Sequence, residues 1–214
     1  MCGIVGFTGN SPAAPIILKG LENLEYRGYD SAGMATLSGG QLWLKKDVGW
    51  VADVARKHHF QDLPGLTGIG HVRWATHGGI TEANAHPHTD CSGRVAVVHN
   101  GIIENYQELR ERLSPRHRFT SETDTEVIPH LIEEYLEKGH PLEEAVRLAL
   151  QDITGAYAIA VVFSGEPDKV VGARRDSPLV AGVGNGSLFL ASDALAFLQH
   201  TDKVIFPEDG EPFD

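Results

Sequence analysis

A cysteine stands directly behind the initiator methionine in Met1-Cys2-Gly3-Ile4-Val5-Gly6-Phe7. Removal of Met1 leaves one residue carrying both a thiol and a free α-amine. A thiol has a pKa of about 8.5 and an α-amine of about 7.7–8.0, so near neutrality the amine can accept the proton that the thiol must lose. Nucleophile and general base then reside in the same residue, the logic of terminal-amine nucleophiles. Ile4, Val5 and Phe7 read as a short buried strand, and Gly3 and Gly6 lack the Cβ that would keep another backbone or a substrate at a distance. Taken alone, Cys2 also reads as a small buried hydrophobe. Motifs further along the chain decide between the two.

At 214 residues the chain can bury a sizeable core, as one domain or two small ones. Its net charge of −11, without a basic stripe, argues against nucleic acid as a partner. No apolar run approaches the roughly 20 residues of a membrane span. The start lacks the basic-then-apolar pattern of a signal peptide, so the cytoplasm is the expected location. The two cysteines, Cys2 and Cys91, are too few for a disulfide scaffold, and both are expected to be reduced.

Periodicity predicts a helix over 12–26, with Ile17, Leu21 and Leu24 on one face, Ser11 as N-cap and Pro12 at the first helical position. A hairpin follows at 32–38 and 41–46, turning at Gly39-Gly40, then a helix at 50–58. Strands are predicted at 67–74 and 95–98, the second ending at His99-Asn100-Gly101. Helices are predicted at 104–113, 124–138 and 141–152, then strands at 156–163, 169–174, 179–183 and 187–191, a helix at 193–199 and a strand at 203–206. Strands at both ends with helices between them predict an α+β fold of stacked sheets under helical layers. The tail Asp209-Gly210-Glu211-Pro212-Phe213-Asp214 reads as a turn after a strand, as expected of a domain excised from a longer protein.

Three stretches carry chemistry. Asn100-Gly101 offers a side-chain amide and a backbone N–H on adjacent residues, the donors a developing oxyanion needs, although Asn-Gly is also a common turn. In Arg73-Trp74-Ala75-Thr76-His77-Gly78 a guanidinium can grip a carboxylate, Thr76 and His77 can add hydrogen bonds, and Trp74 can shield a pocket. The alternative is a structural Arg pair beside a packed Trp. In Ser121-Glu122-Thr123-Asp124-Thr125-Glu126, Thr123 with Glu126 fits a capping box, whereas Asp124 can receive an ammonium. An arginine for a carboxylate and an aspartate for an ammonium together read an α-amino acid. His58, His59, His71, His77, His86, His88 and His99 raise the question of a metal, but HExxH is absent and cysteines are few, so no metal site is expected. Phosphate-binding glycine loops are absent, and no cofactor is expected.

Cys2 to Gly6, Leu24 to Gly33, His71 to Gly78, Asn84 to His88, His99 to Asn105 and Ser121 to Val127 occur in order. Together they closely resemble the class II glutamine amidotransferases, and within them the glutaminase-domain family of glutamine–fructose-6-phosphate aminotransferase (isomerizing). The resemblance runs essentially end to end, over residues 1–214. Amidophosphoribosyltransferases share the opening but typically carry H-R-G-Q where this chain has Tyr26-Arg27-Gly28-Tyr29. The resemblance implies an N-terminal-nucleophile hydrolase fold, a four-layer αββα sandwich. It implies hydrolysis of L-glutamine through a thioester on Cys2, an oxyanion hole at Asn100 and Gly101, and glutamine recognition by Arg73, Thr76, His77 and Asp124. It further implies that Trp74 helps gate ammonia, that residues 73–81 close over glutamine, and that Arg27 supports the nucleophile. A sugar isomerase domain, absent from this sequence, would bind fructose-6-phosphate and drive homodimerisation of the full-length enzyme. A chain keeping Met1 should be inactive. Two alternatives stay open: another terminal-nucleophile amidohydrolase, and a non-catalytic glutamine-binding fragment.

Overall fold

The computed structural model describes residues 2–214; the removal of Met1 lies outside the described residues. Strands β1 (Gly3–Gly9), β2 (Ser31–Ser38), β3 (Gln41–Val48), β4 (Thr67–Arg73), β9 (Val180–Gly184), β10 (Ser187–Ala191) and β11 (Val204–Ile205) form a seven-stranded sheet in the order β11-β9-β10-β1-β4-β2-β3. Strands β5 (His88–Thr89), β6 (Val95–Ile103), β7 (Gly155–Phe163) and β8 (Glu166–Arg175) form a four-stranded sheet in that order. Every pairing between these strands is antiparallel.

Helices α1 (Ala13–Leu24) and α2 (Val51–His58) cover the outer face of the larger sheet. Helices α3 (Tyr106–Leu113), α4 (Val127–Glu137) and α5 (Leu142–Gln151) cover the outer face of the smaller one. The result is the αββα sandwich. Strand alternation explains the layers, because successive side chains face opposite ways. On β7, Tyr157, Ile159 and Val161 pack under α3–α5, while Ala158, Ala160 and Val162 face the other sheet. On β6, Val95 and Val97 face the helices, and Ala96 and Val98 face inward. Both faces are buried, so these strands read as unbroken apolar runs rather than alternating ones.

Several boundaries differ from expectation. Strand β6 does not stop at residue 98 but runs through His99-Asn100-Gly101 to Ile103, paired with β7. The expected helix over 193–199 is a single 3₁₀ turn, Ala194–Ala196. Helix α1 begins at Ala13 with Pro12 as N-cap, and Ser11 does not cap it. The Ala13 N–H instead bonds the carbonyl of Gly65 at 3.0 Å. Thr123 makes no capping bond, and Glu126 does not reach back to it. The Glu126 carboxylate accepts from the backbone and hydroxyls of Thr120 and Ser121, which knits the approach to α4. The Gly39-Gly40 hairpin turn is as expected, with both glycines at positive φ, the geometry a two-residue turn needs.

Candidate active site

The chemistry collects where the inter-sheet core reaches its end. Ile4 and Ile69 lie in the layer between the sheets, and Ile4 pairs directly with His71. Counting by twos along each strand brings Cys2, His71 and Arg73 to that same face. Val98 on β6 faces the same layer, so Asn100 does too. Three strands thus deliver a thiol, an imidazole, a guanidinium and an amide to one place without a loop rearrangement.

Cys2 is held tightly. Its carbonyl accepts from Asn100 Nδ2 at 3.1 Å and from Arg27 Nε at 3.0 Å. Arg27 is anchored in turn by Asp193, 3.7 Å from Nη1, and Asp193 also accepts from the Tyr26 hydroxyl at 2.9 Å. The Trp74 N–H donates to Cys2 Sγ at 3.2 Å. Burial pushes the Cys2 thiol up, although the Trp74 backbone and the guanidinium of Arg73 pull the other way. The sulfur therefore rests as a thiol, and a base must take its proton when it attacks.

Asn100 is oriented by its neighbour. His71 Nε2 lies 3.0 Å from Asn100 Oδ1 and 3.2 Å from the His99 carbonyl, and both of these are acceptors when Nε2 carries the proton. With Oδ1 claimed, Nδ2 must face Cys2. An amide nitrogen has two hydrogens, and the Cys2 carbonyl uses one. At Gly101, φ is +132°, and an added Cβ would collide with the Ala156 carbonyl, so only glycine fits this mid-strand position.

Cys2, Arg73, Trp74, Thr76, His77, Gly101 and Asp124 line a single narrow cleft with a cavity volume of about 20 Å³. Asp124 is buried, and its Oδ2 accepts the Ile103 N–H at 2.8 Å. Its Oδ1 has no hydrogen-bond partner among the described residues, which leaves an acceptor for a ligand ammonium. Arg73 is also buried and donates to the carbonyls of His77 and Gly79, the latter at 3.1 Å, curling residues 74–79 over itself. Those bonds use two of its five N–H donors. The Trp74 ring is exposed and meets Tyr29 edge-on. Arg27 supports Cys2 from behind and does not line the cleft.

His86, His99, Thr123 and Thr125, to which the sequence assigns no role in the site, line the same cleft. His86 Nε2 and His99 Nδ1 both contact the Thr125 hydroxyl, at 3.0 and 2.9 Å. His88 Nε2 contacts Thr123 at 3.1 Å, and His86 stacks on His71 at 4.3 Å between ring centres. Burial lowers His71 to about 3 and drives His86 and His88 well below the ordinary histidine range. Lys46 grips the carbonyls of Ala85 and Pro87 at 2.6 and 3.1 Å, holding this segment in place. The available signal for His71 was its period-two spacing from Ile69 and Arg73. His86 and Thr125 lie in two of the stretches that carry the resemblance, but no local pattern links one to the other.

A family model described as a glutamine amidotransferase domain matches residues 71–199. The chain is 58% identical over 213 residues to glutamine–fructose-6-phosphate aminotransferase [isomerizing] of Methanothermobacter thermautotrophicus, covering 99% of this chain and 36% of that one. It is 52% identical to the protein of the same name from Pyrococcus horikoshii, over 99% of this chain and 36% of the relative. The chain thus spans little more than a third of the length of these relatives. Among solved structures it resembles the glutamine phosphoribosylpyrophosphate amidotransferase of B. subtilis, with a TM-score of 0.81 and 29% identity over 94% of this chain and 44% of that one. A glutamine aminotransferase class-II domain protein from Silicibacter pomeroyi shares the fold at a TM-score of 0.60, with 18% identity over 89% of this chain and 88% of that one. The sandwich is the N-terminal-nucleophile one, and with the family model matched over more than half of its residues, this chain belongs to the glutamine amidotransferase family.

Proposed function

We propose that this chain hydrolyses L-glutamine to glutamate and ammonia. One observation carries the reading. The Cys2 thiol, the Gly101 backbone, the Arg73 guanidinium and the Asp124 carboxylate all border one small cleft, with the Asn100 amide beside Cys2. Arg73 and Asp124 suit the two charged groups of an α-amino acid, and the donors near Cys2 suit its side-chain amide.

In the proposed cycle the α-amine of Cys2, freed by loss of Met1, takes the thiol proton as sulfur attacks the amide carbon. The carbonyl oxygen becomes an oxyanion held by the second Nδ2 hydrogen of Asn100 and the Gly101 N–H. Collapse breaks the C–N bond, and the proton passes to the leaving nitrogen, which departs as ammonia. Water, deprotonated by the same amine, then splits the thioester and regenerates the thiol. Thr76 and His77 supply further contacts to glutamine, Trp74 gates the cleft and Arg27 steadies Cys2. In a longer protein a sugar isomerase domain would pass the ammonia to fructose-6-phosphate, forming glucosamine-6-phosphate within a cytoplasmic homodimer. The similarity to relatives carrying that name supports this assignment.

Protein beginning at Cys2 is expected to release ammonia from L-glutamine and not from glutaramide, which lacks both α-substituents. The glutamine analogue 6-diazo-5-oxo-L-norleucine should add once per chain, at Cys2, as read by intact mass. Failure to turn over glutamine with Cys2 leading would remove the proposal. Asn100→Ala is expected to lower turnover by roughly 10²–10³, the usual loss for one oxyanion donor. A fall under about tenfold would leave Asn100 with a structural role only.

A further inference from the structure

A second cluster lies on the far side of the smaller sheet, outside the cleft. Cys91 sits in the turn between β5 and β6, His117 in the segment after α3, and His130 and Glu133 one turn apart on the same face of α4. One ligand atom from each converges, all within 4.8 Å of one another. Cys91 Sγ is 3.7 Å from both His117 Nδ1 and His130 Nδ1. Glu133 Oε2 is 3.0 Å from His117 Nδ1 and 3.5 Å from His130 Nδ1.

Four of the six separations approach those of a coordination shell, and all six lie within 4.8 Å. A zinc tetrahedron with about 2.3 Å to sulfur and about 2.0–2.1 Å to nitrogen or oxygen has edges of about 3.3–3.6 Å. Four edges of the observed figure lie within a few tenths of an ångström of that range. Hydrogen bonding explains it less well. Glu133 Oε2 already accepts the Cys91 N–H at 3.1 Å and lies closest to His117, while the distance to His130 Nδ1 is long for a hydrogen bond. The outer nitrogens also fit. His117 and His130 are both buried, and neither Nε2 has a hydrogen-bond partner. Glu134 Oε1 stands 3.5 Å from His117 Nε2, on the side where a zinc-bound histidine turns its N–H toward a carboxylate. Cys91 is exposed, so an ion can enter from solvent.

We propose that Cys91, His117, His130 and Glu133 bind one zinc ion. The donor set of one thiolate, two imidazoles and one carboxylate suits zinc among the divalent metals. Four protein ligands leave no position open, so the site is structural rather than catalytic. It staples the β5–β6 turn to α4 and to the start of the segment that carries Thr123 and Asp124 to the cleft. The sequence reading expected no metal site because no ligand-spacing motif is present. The four ligands come from three separate elements, and only the fold brings them together.

The test is zinc binding by the full 214-residue chain without an affinity tag, followed by intact-protein metal analysis and cobalt(II) substitution. One zinc per chain is expected after dialysis, in wild type and in Cys2→Ala alike. Cobalt should give tetrahedral visible absorption with a thiolate charge-transfer band in both. Cys91→Ser, a substitution at an exposed position, should lose that band and bind zinc at least about 100-fold more weakly. Zinc at about 100 times its Kd should raise the unfolding midpoint of wild type by about 5–10 °C and leave that of Cys91→Ser nearly unmoved. Substoichiometric zinc in wild type, or equal binding by Cys91→Ser, would overturn the site. So would loss of zinc in Cys2→Ala.

Discussion

Cys2→Ala is expected to abolish ammonia release from L-glutamine, with a fall on the order of 10⁴ or more, as for removal of the nucleophile in other acyl-transfer enzymes. The physical reason is that nothing nearby can substitute for the sulfur. Cys91, the other thiol, stands in the β5–β6 turn among His117, His130 and Glu133, outside the cleft. The Thr76 hydroxyl lines the cleft but lacks the amine that residue 2 would carry. Binding should survive, because Arg73 and Asp124 are held by Gly79 and Ile103 rather than by the Cys2 side chain. Calorimetry should therefore give a glutamine Kd within about tenfold of wild type while turnover vanishes. Retained turnover in a sample free of contaminating glutaminase would refute the nucleophile assignment. Loss of binding together with turnover would mean that Cys2 shapes the pocket.

Stability is expected to fall steeply between about pH 6.5 and 5. His71, His86 and His88 are buried and held neutral, His71 titrating at about 3 and the other two well below the ordinary value, and His99 and His130 are lowered as well, in each case chiefly because burial penalises the charge. In the unfolded chain each binds a proton near about pH 6.5. Below that pH the unfolded state holds more protons than the folded one, so stability present above it is lost as pH falls. Each of the first three contributes about 1.4 kcal/mol per pH unit, together about 4 kcal/mol per pH unit, against a total stability of about 5–15 kcal/mol. The most depressed carboxylate, Asp47, is held down by His58 and Lys57 and titrates far below this window. Urea midpoints read by tryptophan fluorescence at pH 7, 6 and 5 would check this. A midpoint unchanged from pH 7 to 5 would show that the buried imidazoles accept protons in the fold. His86→Gln should flatten the slope by about 1.4 kcal/mol per pH unit, since one proton is removed from the balance.

The two expectations concern one structural fact. The inter-sheet layer ends in polar groups, and those around Cys2 are bonded to one another. His71 spends its Nε2 proton on Asn100, and Asn100 spends one amide hydrogen on Cys2. A buried amide aimed by a buried neutral imidazole is fixed in place, as the proposed oxyanion role requires, and the same burial is the reason that acid is expected to destabilise the site.

Much of this was legible in the residues. The periodicities of α1, the β2–β3 hairpin and β7 matched the structure because both partners of each pattern lie close in the chain. Cys2, Arg73, Trp74, Thr76, His77, Gly101 and Asp124 stand out in the sequence as a set, and they line one cleft. The misreading of Asn100-Gly101 as a strand end has a plain cause. Asn-Gly is a strong local turn signal, and its pairing with Ala158 and Tyr157 on β7 overrides it. Glu126 likewise looked like half of a capping box, yet it bonds Thr120 and Ser121 upstream.

What the chain by itself determined was chemistry and local period: which side chains can attack, donate or accept, and which face of each strand they share. Only the tertiary structure decided their partners. That His71 aims Asn100, that Thr125 joins His86 to His99, and that Cys91 meets two histidines and a glutamate are pairings between residues far apart in sequence. Local propensity carries no information about such contacts. They form because two sheets must bury their small-residue faces against each other, and that packing alone sets which strand ends coincide.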